Sequence, residues 1–183
     1  MKCTKQKIPD LVIIEPIIRS DPRGYFLESF RQESLEEVVG KKINFVQDNE
    51  SMSSKGILRG LHYQLPPFTQ SKLLRVVSGR ILDVAVDIRN HSPTFGKHVA
   101  VELNEDNKNQ LYIPEGFAHG FVVLSDKAIV CYKTDNYYEP NSERGILFND
   151  TRLAIDWKLP VSDIMVSEKD KVQPSFSYEK SYL

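Results

Sequence analysis

The sequence predicts an all-β fold, either a sandwich or a barrel. Three observations carry that reading. Short apolar runs with period-two alternation recur along the chain, clusters of Gly, Pro, Asn, Asp and Ser separate them, and only one stretch has convincing helical character. A doubly wound parallel sheet would need strand and helix to alternate, and here they do not.

Taken in order, residues 11–18 are mostly apolar and run into Arg19-Ser20-Asp21-Pro22-Arg23-Gly24, a turn by composition. Residues 24–30 read as a strand. Residues 31–39 are rich in Glu and form the one clear helix, stopped at Gly40. Strands are expected over 43–50 and 56–64, then over 71–77 and 80–88 on either side of Ser78-Gly79. In the last of these, Leu82, Val84, Val86 and Ile88 share one face and Asp83 and Asp87 the other. Residues 99–103, 110–113, 120–124, 128–134 and 145–148 complete the strands. The charged stretch Ser167-Glu168-Lys169-Asp170-Lys171 predicts a short helical turn packed on the barrel. With 183 residues and no repeat or linker, a single domain is expected.

Composition narrows the function. Hydrophobic residues make up 40% and charged residues 27%, which suits a globular chain. The formal net charge is -1 and no basic stripe stands out, so no nucleic-acid partner is expected. Residues 1–10 are polar and predict a frayed terminus without a secretory signal. No apolar run is long enough to span a bilayer, so no membrane partner is expected and a reducing cytoplasm is the expected location. Of the two cysteines, Cys3 lies in that terminus and Cys131 inside an apolar run, where it reads as a small core residue rather than a nucleophile.

Four groups of residues have chemical potential. The first is Arg59-Gly60-Leu61-His62-Tyr63-Gln64 with Lys72. On an ideal strand Leu58, Gly60, His62 and Gln64 share a face, as do Lys72, Leu74 and Val76 on the next. If both faces line a barrel, His62 and Lys72 converge inside it, and an inward Lys needs a partner. The alternative is a satisfied core or rim histidine and a lysine that snorkels to solvent.

The second is Pro114-Glu115-Gly116-Phe117-Ala118-His119-Gly120. PxGxxH is the second motif of metal-binding cupin barrels, but the first-motif region reads His62-Tyr63-Gln64, too few ligands for a tight site. No metal is therefore expected. His91 and His98, beside the Ser92-Pro93-Thr94 turn, read as surface residues. The third group is Tyr132, pointing where Val130 points, with Tyr137, Tyr138 and Glu143 following. Tyr132 is either an acid or a packed aromatic with a hydrogen-bonded hydroxyl. Tyr137 and Tyr138 are either a stacking surface or a hairpin edge. The fourth is cationic, Arg23, Arg59 and Lys169, suited to phosphate oxygens or to surface ion pairs.

The combination resembles a known family. Gln47-Asp48-Asn49, Gly56-Ile57-Leu58-Arg59-Gly60-Leu61-His62-Tyr63-Gln64, Ser71-Lys72-Leu73-Leu74-Arg75-Val76, Asp83-Val84-Ala85-Val86-Asp87-Ile88-Arg89, Ser92-Pro93-Thr94-Phe95-Gly96-Lys97 and Tyr112-Ile113-Pro114-Glu115-Gly116-Phe117-Ala118-His119-Gly120-Phe121 occur in the order seen in dTDP-4-dehydrorhamnose 3,5-epimerases. The resemblance covers about residues 14–170. It implies a cupin-like jelly-roll barrel with a few short helices, a homodimer, no cofactor and a dTDP-4-keto-6-deoxy sugar as substrate.

Carried onto this chain, the resemblance makes His62 the general base, Asp170 the carboxylate that orients it, Tyr132 the general acid and Lys72 the cation beside the ketone oxygen. Arg23, Glu28, Gln47, Asp48, Asn49, Arg59, His119, Glu143 and Lys169 match positions that bind the nucleotide sugar, and Tyr138 an aromatic that stacks on thymine. The residue types fit: a ketone acidifies its neighbouring C–H bonds, an imidazole removes the proton near neutral pH, a fixed ammonium stabilises the enolate, and a second group must return the proton to the opposite face.

One spacing conflicts with a regular strand. Arg59 and His62 are an odd number of positions apart, so either a bulge near Gly60 re-aims the chain or one of them serves a neighbouring subunit. Glu50, His98 and the Lys158-Leu159 insertion between Trp157 and Pro160 depart from the family's usual residues. Three further readings share these features: a relative that inverts one centre only, a non-catalytic sugar-nucleotide binder and a metal-dependent cupin enzyme.

Overall fold

The computed structural model describes residues 1–8 and 10–183. Its strands are β1 (Lys2–Lys5), β2 (Val12–Glu15), β3 (Ile18–Asp21), β4 (Gly24–Leu27), β5 (Gln47–Ser54), β6 (Leu58–Gln64), β7 (Lys72–Ser78), β8 (Arg80–Asp87), β9 (His98–Asn104), β10 (Gln110–Ile113), β11 (Phe117–Val123), β12 (Lys127–Thr134) and β13 (Glu143–Gly145). Two short helices, α1 (Gln32–Val39) and α2 (Glu168–Lys171), accompany them. Six strands in the order β1-β2-β10-β7-β12-β5 face five in the order β13-β6-β11-β8-β9, and β3 with β4 forms a separate hairpin. The pairings within both sheets are antiparallel, as a jelly-roll barrel requires. No described helix is long and apolar enough to cross a membrane.

Between the sheets, Leu74, Val76 and Val130 meet Ile81, Ala85, Val99, Leu103, Phe117, Phe121 and Val123 in a buried apolar cluster. This fills one end of the sandwich. Toward the other end the inward positions turn polar, and the space there is open rather than packed.

Both outer faces are covered in part. Leu82, Val84, Val86 and Ile88 face away from the sandwich interior and pack under the chain's C-terminal part through Ile146, Phe148, Leu153, Trp157, Phe176 and Tyr182. Asp83 and Asp87 therefore lie on the interior row, alternating with Ile81 and Ala85. On the six-stranded sheet, Val12, Ile14, Leu73 and Tyr112 are covered by Leu35 of α1 and by Ile43. The helix ends at Gly40, whose N–H donates to the Glu36 carbonyl at 2.8 Å.

Several strand bounds differ from the sequence expectation. Residues 2–5 are not frayed but pair antiparallel with β2. The strand expected at 43–50 lies at Gln47–Ser54, because Ile43 and Phe45 belong to the cover over the outer face. The strand expected at 145–148 lies at Glu143–Gly145, since Ile146 and Phe148 turn into the outer core. Cys131 is not a core residue: it points outward on β12, with its thiol toward Glu50 at 3.4 Å. Burial and that carboxylate push the thiol's pKa up, so it has no thiolate character at neutral pH. His98 is half-buried rather than on the surface, and burial lowers its pKa.

Candidate active site

At the open end of the sandwich is a cavity of about 760 Å³, within the range of small-ligand sites. Its two walls come from different sheets. The six-stranded sheet presents Gln47, Asn49 and Ser51 of β5, Lys72 of β7, and Tyr132 and Thr134 of β12. The five-stranded sheet presents Arg59, His62 and Gln64 of β6, His119 and Phe121 of β11, and Glu143 of β13. Lys169 and Asp170 of α2 and Tyr138 from the β12–β13 connection close the rim.

A bulge brings Arg59 and His62 to one wall. His62 stands opposite His119 and Arg59 opposite Phe121, so β6 spends three positions where β11 spends two. Gly60 occupies the irregularity at φ +129°, a conformation closed to ordinary side chains. Leu58, expected on the His62 face, lies on the outer face instead. Arg59 donates from Nε to Ser53 Oγ at 3.0 Å, which leaves the rest of its guanidinium for the cavity.

His62 donates from Nε2 to Asp170 Oδ1 at 2.6 Å. Burial raises the Asp170 pKa, but hydrogen bonds from His62 and Ser167 outweigh it, and the carboxyl is held below its ordinary range. An ionised Asp170 fixes the tautomer: Nε2 carries the proton and Nδ1 keeps its lone pair. The nearest carboxylate to Nδ1 is Glu143, with Oε1 at 4.0 Å. Glu143 Oε2 in turn accepts from the Tyr138 hydroxyl at 2.7 Å and from the Lys169 ammonium. That bond to Glu143, with burial, pushes the Tyr138 phenol up to about 12.

Lys72 and Tyr132 stand on the wall facing His62. Burial pulls the Lys72 ammonium down to about 8, while Asp83 and Glu143 resist that shift. Burial raises the Tyr132 phenol and Arg59 partly offsets it, so Tyr132 holds its proton at neutral pH. His119 donates to Asp83 Oδ1 at 2.6 Å, and burial lowers its pKa despite that carboxylate. With its ring committed to Asp83, His119 is poorly placed as a metal ligand, and the described residues hold no group of three His, Cys, Asp or Glu suited to a metal ion.

The structure therefore gathers His62, Lys72, Tyr132, Asp170, Gln47, Asn49, Arg59, His119, Tyr138, Glu143 and Lys169 around one space. It does not bring Asp48, Arg23 or Glu28 there. Asp48 alternates with Gln47 and Asn49, so it faces outward and pairs with Lys133 at 2.7 Å. Arg23 sits at the tip of the β3–β4 hairpin with its side chain 90% exposed, paired with Asp21 at 2.6 Å. Glu28 follows that hairpin and pairs with Arg31 at 2.7 Å.

Sequence reasoning missed Asp83 and Ser51. Asp83 was legible as the polar partner of Ile81 and Ala85, had the apolar row beside it been assigned to the outer face. Ser51 lies on an inward row whose members are all polar, Gln47, Asn49, Ser51 and Ser53, so hydrophobic alternation gave no signal.

Known proteins resemble this chain over nearly its whole length. The family described as dTDP-4-dehydrorhamnose 3,5-epimerase matches residues 5–178. The dTDP-4-dehydrorhamnose 3,5-epimerase of Shigella flexneri is 57% identical over 170 residues, covering 93% of both chains. The crystal structure of the Elizabethkingia anophelis NUHP1 enzyme of that name superposes with a TM-score of 0.94 at 50% identity, covering 100% of this chain and 99% of that one. A Legionella pneumophila Philadelphia 1 dTDP-6-deoxy-D-glucose-3,5-epimerase, solved with dTDP-4-keto-L-rhamnose, gives a TM-score of 0.91 at 50% identity, covering 95% and 92%. Fold, cavity and sequence point the same way, and the chain belongs to the dTDP-4-dehydrorhamnose 3,5-epimerase family.

Proposed function

We propose that the chain converts dTDP-4-dehydro-6-deoxy-D-glucose to dTDP-4-dehydro-L-rhamnose, with His62 as base and Tyr132 as acid at carbons 3 and 5. One observation carries the reading: the imidazole and the phenol project from facing sheets into a single cavity. Inversion needs a proton removed from one face of the ring and another delivered to the opposite face, and two walls supply both.

His62 Nδ1 takes the proton, because Asp170 already occupies Nε2. The electrons move onto the ketone oxygen, where the buried Lys72 ammonium offsets the charge. Tyr132 then donates its proton to the other face of the same carbon. Solvent resets both groups before the second centre reacts. Arg59 and Lys169 are suited to the diphosphate oxygens. Tyr138, half-exposed at the rim, offers a ring for the base.

A homodimer would account for Arg23 and Glu28. The hairpin that carries them leaves Ile17, Tyr25 and Phe26 at 62%, 58% and 70% exposure, an apolar surface suited to a second copy. Light scattering tests the dimer. The activity is tested by product analysis by NMR in heavy water with dTDP-4-dehydro-6-deoxy-D-glucose. Deuterium at both carbons of an L-rhamno product is expected. Deuterium and inversion at one centre alone would make the chain a single-centre epimerase, and incorporation at neither would overturn the reading.

A further inference from the structure

Asp170 reaches His62 by way of a short strap, residues 163–170, that runs along the turn between β5 and β6. The Met165 N–H donates to the Gly56 carbonyl and the Leu58 N–H to the Met165 carbonyl, both at 2.9 Å. Ile57 and Met165 pair as an isolated parallel bridge, the only contact of that kind among the described residues. Beyond it, the Ser167 hydroxyl accepts from the Asp170 N–H at 3.2 Å and caps α2. The carboxylate that emerges is 4% exposed and meets His62 Nε2.

Gly56 is the point where strap and turn touch. A β-carbon built there would stand 2.3 Å from the Asp163 carbonyl oxygen, whereas real β-carbon contacts are not found under 3.0 Å. The strap must therefore retreat if position 56 gains any side chain. Gly56 also has φ +79°, which the turn itself requires. The two demands are separable. Asn tolerates a left-handed backbone, but it still carries a β-carbon.

We propose that Gly56 is a positioning residue for the epimerisation: with no side chain, it lets the strap close on the β5–β6 turn and so holds the Asp170 carboxylate against His62. The inference rests on the reading of His62 as the base that Asp170 orients. Gly56 itself does not line the cavity; it acts through the strap, which carries Lys169 as well as Asp170 to the rim. A misplacement of about 1 Å near a reacting group can cost about 100-fold in turnover.

A double-variant kinetic cycle at saturating substrate tests the proposal. Gly56→Asn should lower kcat by about 10- to 100-fold, and any shift of Lys169 is read separately as a rise in KM. In an Asp170→Asn background the same substitution should cost no further kcat, because the group it positions is gone. Losses that multiply in the double variant, or a Gly56→Asn enzyme with full kcat, would overturn the proposal while leaving His62 and Asp170 in their roles. An Asp170→Asn protein with undiminished kcat would instead overturn the underlying reading of the pair, and this inference with it. If Gly56→Asn does not fold, Met165→Pro takes its place in the cycle. It removes the N–H that bonds to Gly56 and leaves the turn alone, and Ile164 before it is extended at φ -91° and ψ 127°, as a residue preceding Pro should be. The same lack of further loss in the Asp170→Asn background is expected, and multiplying losses overturn the proposal.

Discussion

His62 Nε2 and Asp170 Oδ1 stand 2.6 Å apart although 108 positions separate the two residues in the chain. One sits on a central strand and the other on a one-turn helix near the C-terminus. The tertiary fold has brought an imidazole and a carboxylate together from pieces with no local relation.

That pairing sets the first prediction. Asp170→Asn keeps the shape but removes the charge and the reason for Nε2 to hold the proton, so kcat should fall by about 10²- to 10⁴-fold with the fold retained. His62→Ala should fall into the same range. Steady-state kinetics with circular dichroism as the folding control checks both. The pair also contributes to stability. Asp170 is depressed in the folded state, so its contribution is present above the ordinary carboxyl value of 3.8 and is lost as pH falls through the lower folded value.

Tyr132→Phe separates proton removal from inversion. His62 remains able to abstract and, once its proton has exchanged with solvent, to return a deuteron to the face it came from. Product formation should fall by about 10²- to 10⁴-fold. Deuterium should still enter the substrate with its configuration retained. NMR of recovered substrate after incubation in heavy water makes the measurement, and a variant that neither exchanges nor inverts would place Tyr132 in binding or abstraction instead.

Where the chemistry uses apolar alternation, the sequence was readable; where it interrupts that alternation, it was not. The eight-residue β8 and the four-residue β10 announced themselves because their interior or outer rows are apolar. The inward row of β5 is polar because it lines the cavity, and apolar alternation points to a strand four positions before the one that forms. The same rule hid Asp83, which the more conspicuous Leu82-to-Ile88 row overshadowed. The odd spacing of Arg59 and His62 did carry information, since it required either a bulge or a second subunit, and Gly60 supplies the bulge. Arg23, Glu28 and Asp48 matched a pattern of residue types, but a linear pattern does not say which side of a strand, or which copy of a chain, a side chain serves.

The bulge gives a stability prediction. At Gly60 a β-carbon would meet Gly120 Cα at 2.5 Å and the His119 carbonyl at 2.7 Å, with φ at +129°. Neither backbone can yield without disturbing the β6–β11 pairing. Gly60→Ala should destabilise the fold by about 1–3 kcal/mol, from strain and the steric clash together. For a chain of this length that corresponds to a melting temperature lower by about 2–4 °C per kcal/mol, readable by calorimetry. Activity should drop further than stability requires, because Arg59 and His62 owe their common face to this residue.

Lys72 makes the pH dependence informative. Burial pulls its ammonium from 10.5 down to about 8, and only the ammonium form stabilises an enolate. The kcat of the enzyme should therefore decline as pH rises through about 8, and Lys72→Met should lose about 10²- to 10³-fold at neutral pH. Asp83 holds the charge on Lys72, so Asp83→Asn should move that decline to lower pH. Stability runs the other way. Between about 8 and 10.5 the unfolded chain binds more protons at this lysine than the folded one, so the folded state gains from this group as pH rises. Measured together, activity should fall while the melting temperature does not follow it down. A melting temperature that collapses in step with kcat across that window would assign the alkaline limb to unfolding and remove Lys72 from its role in the reaction.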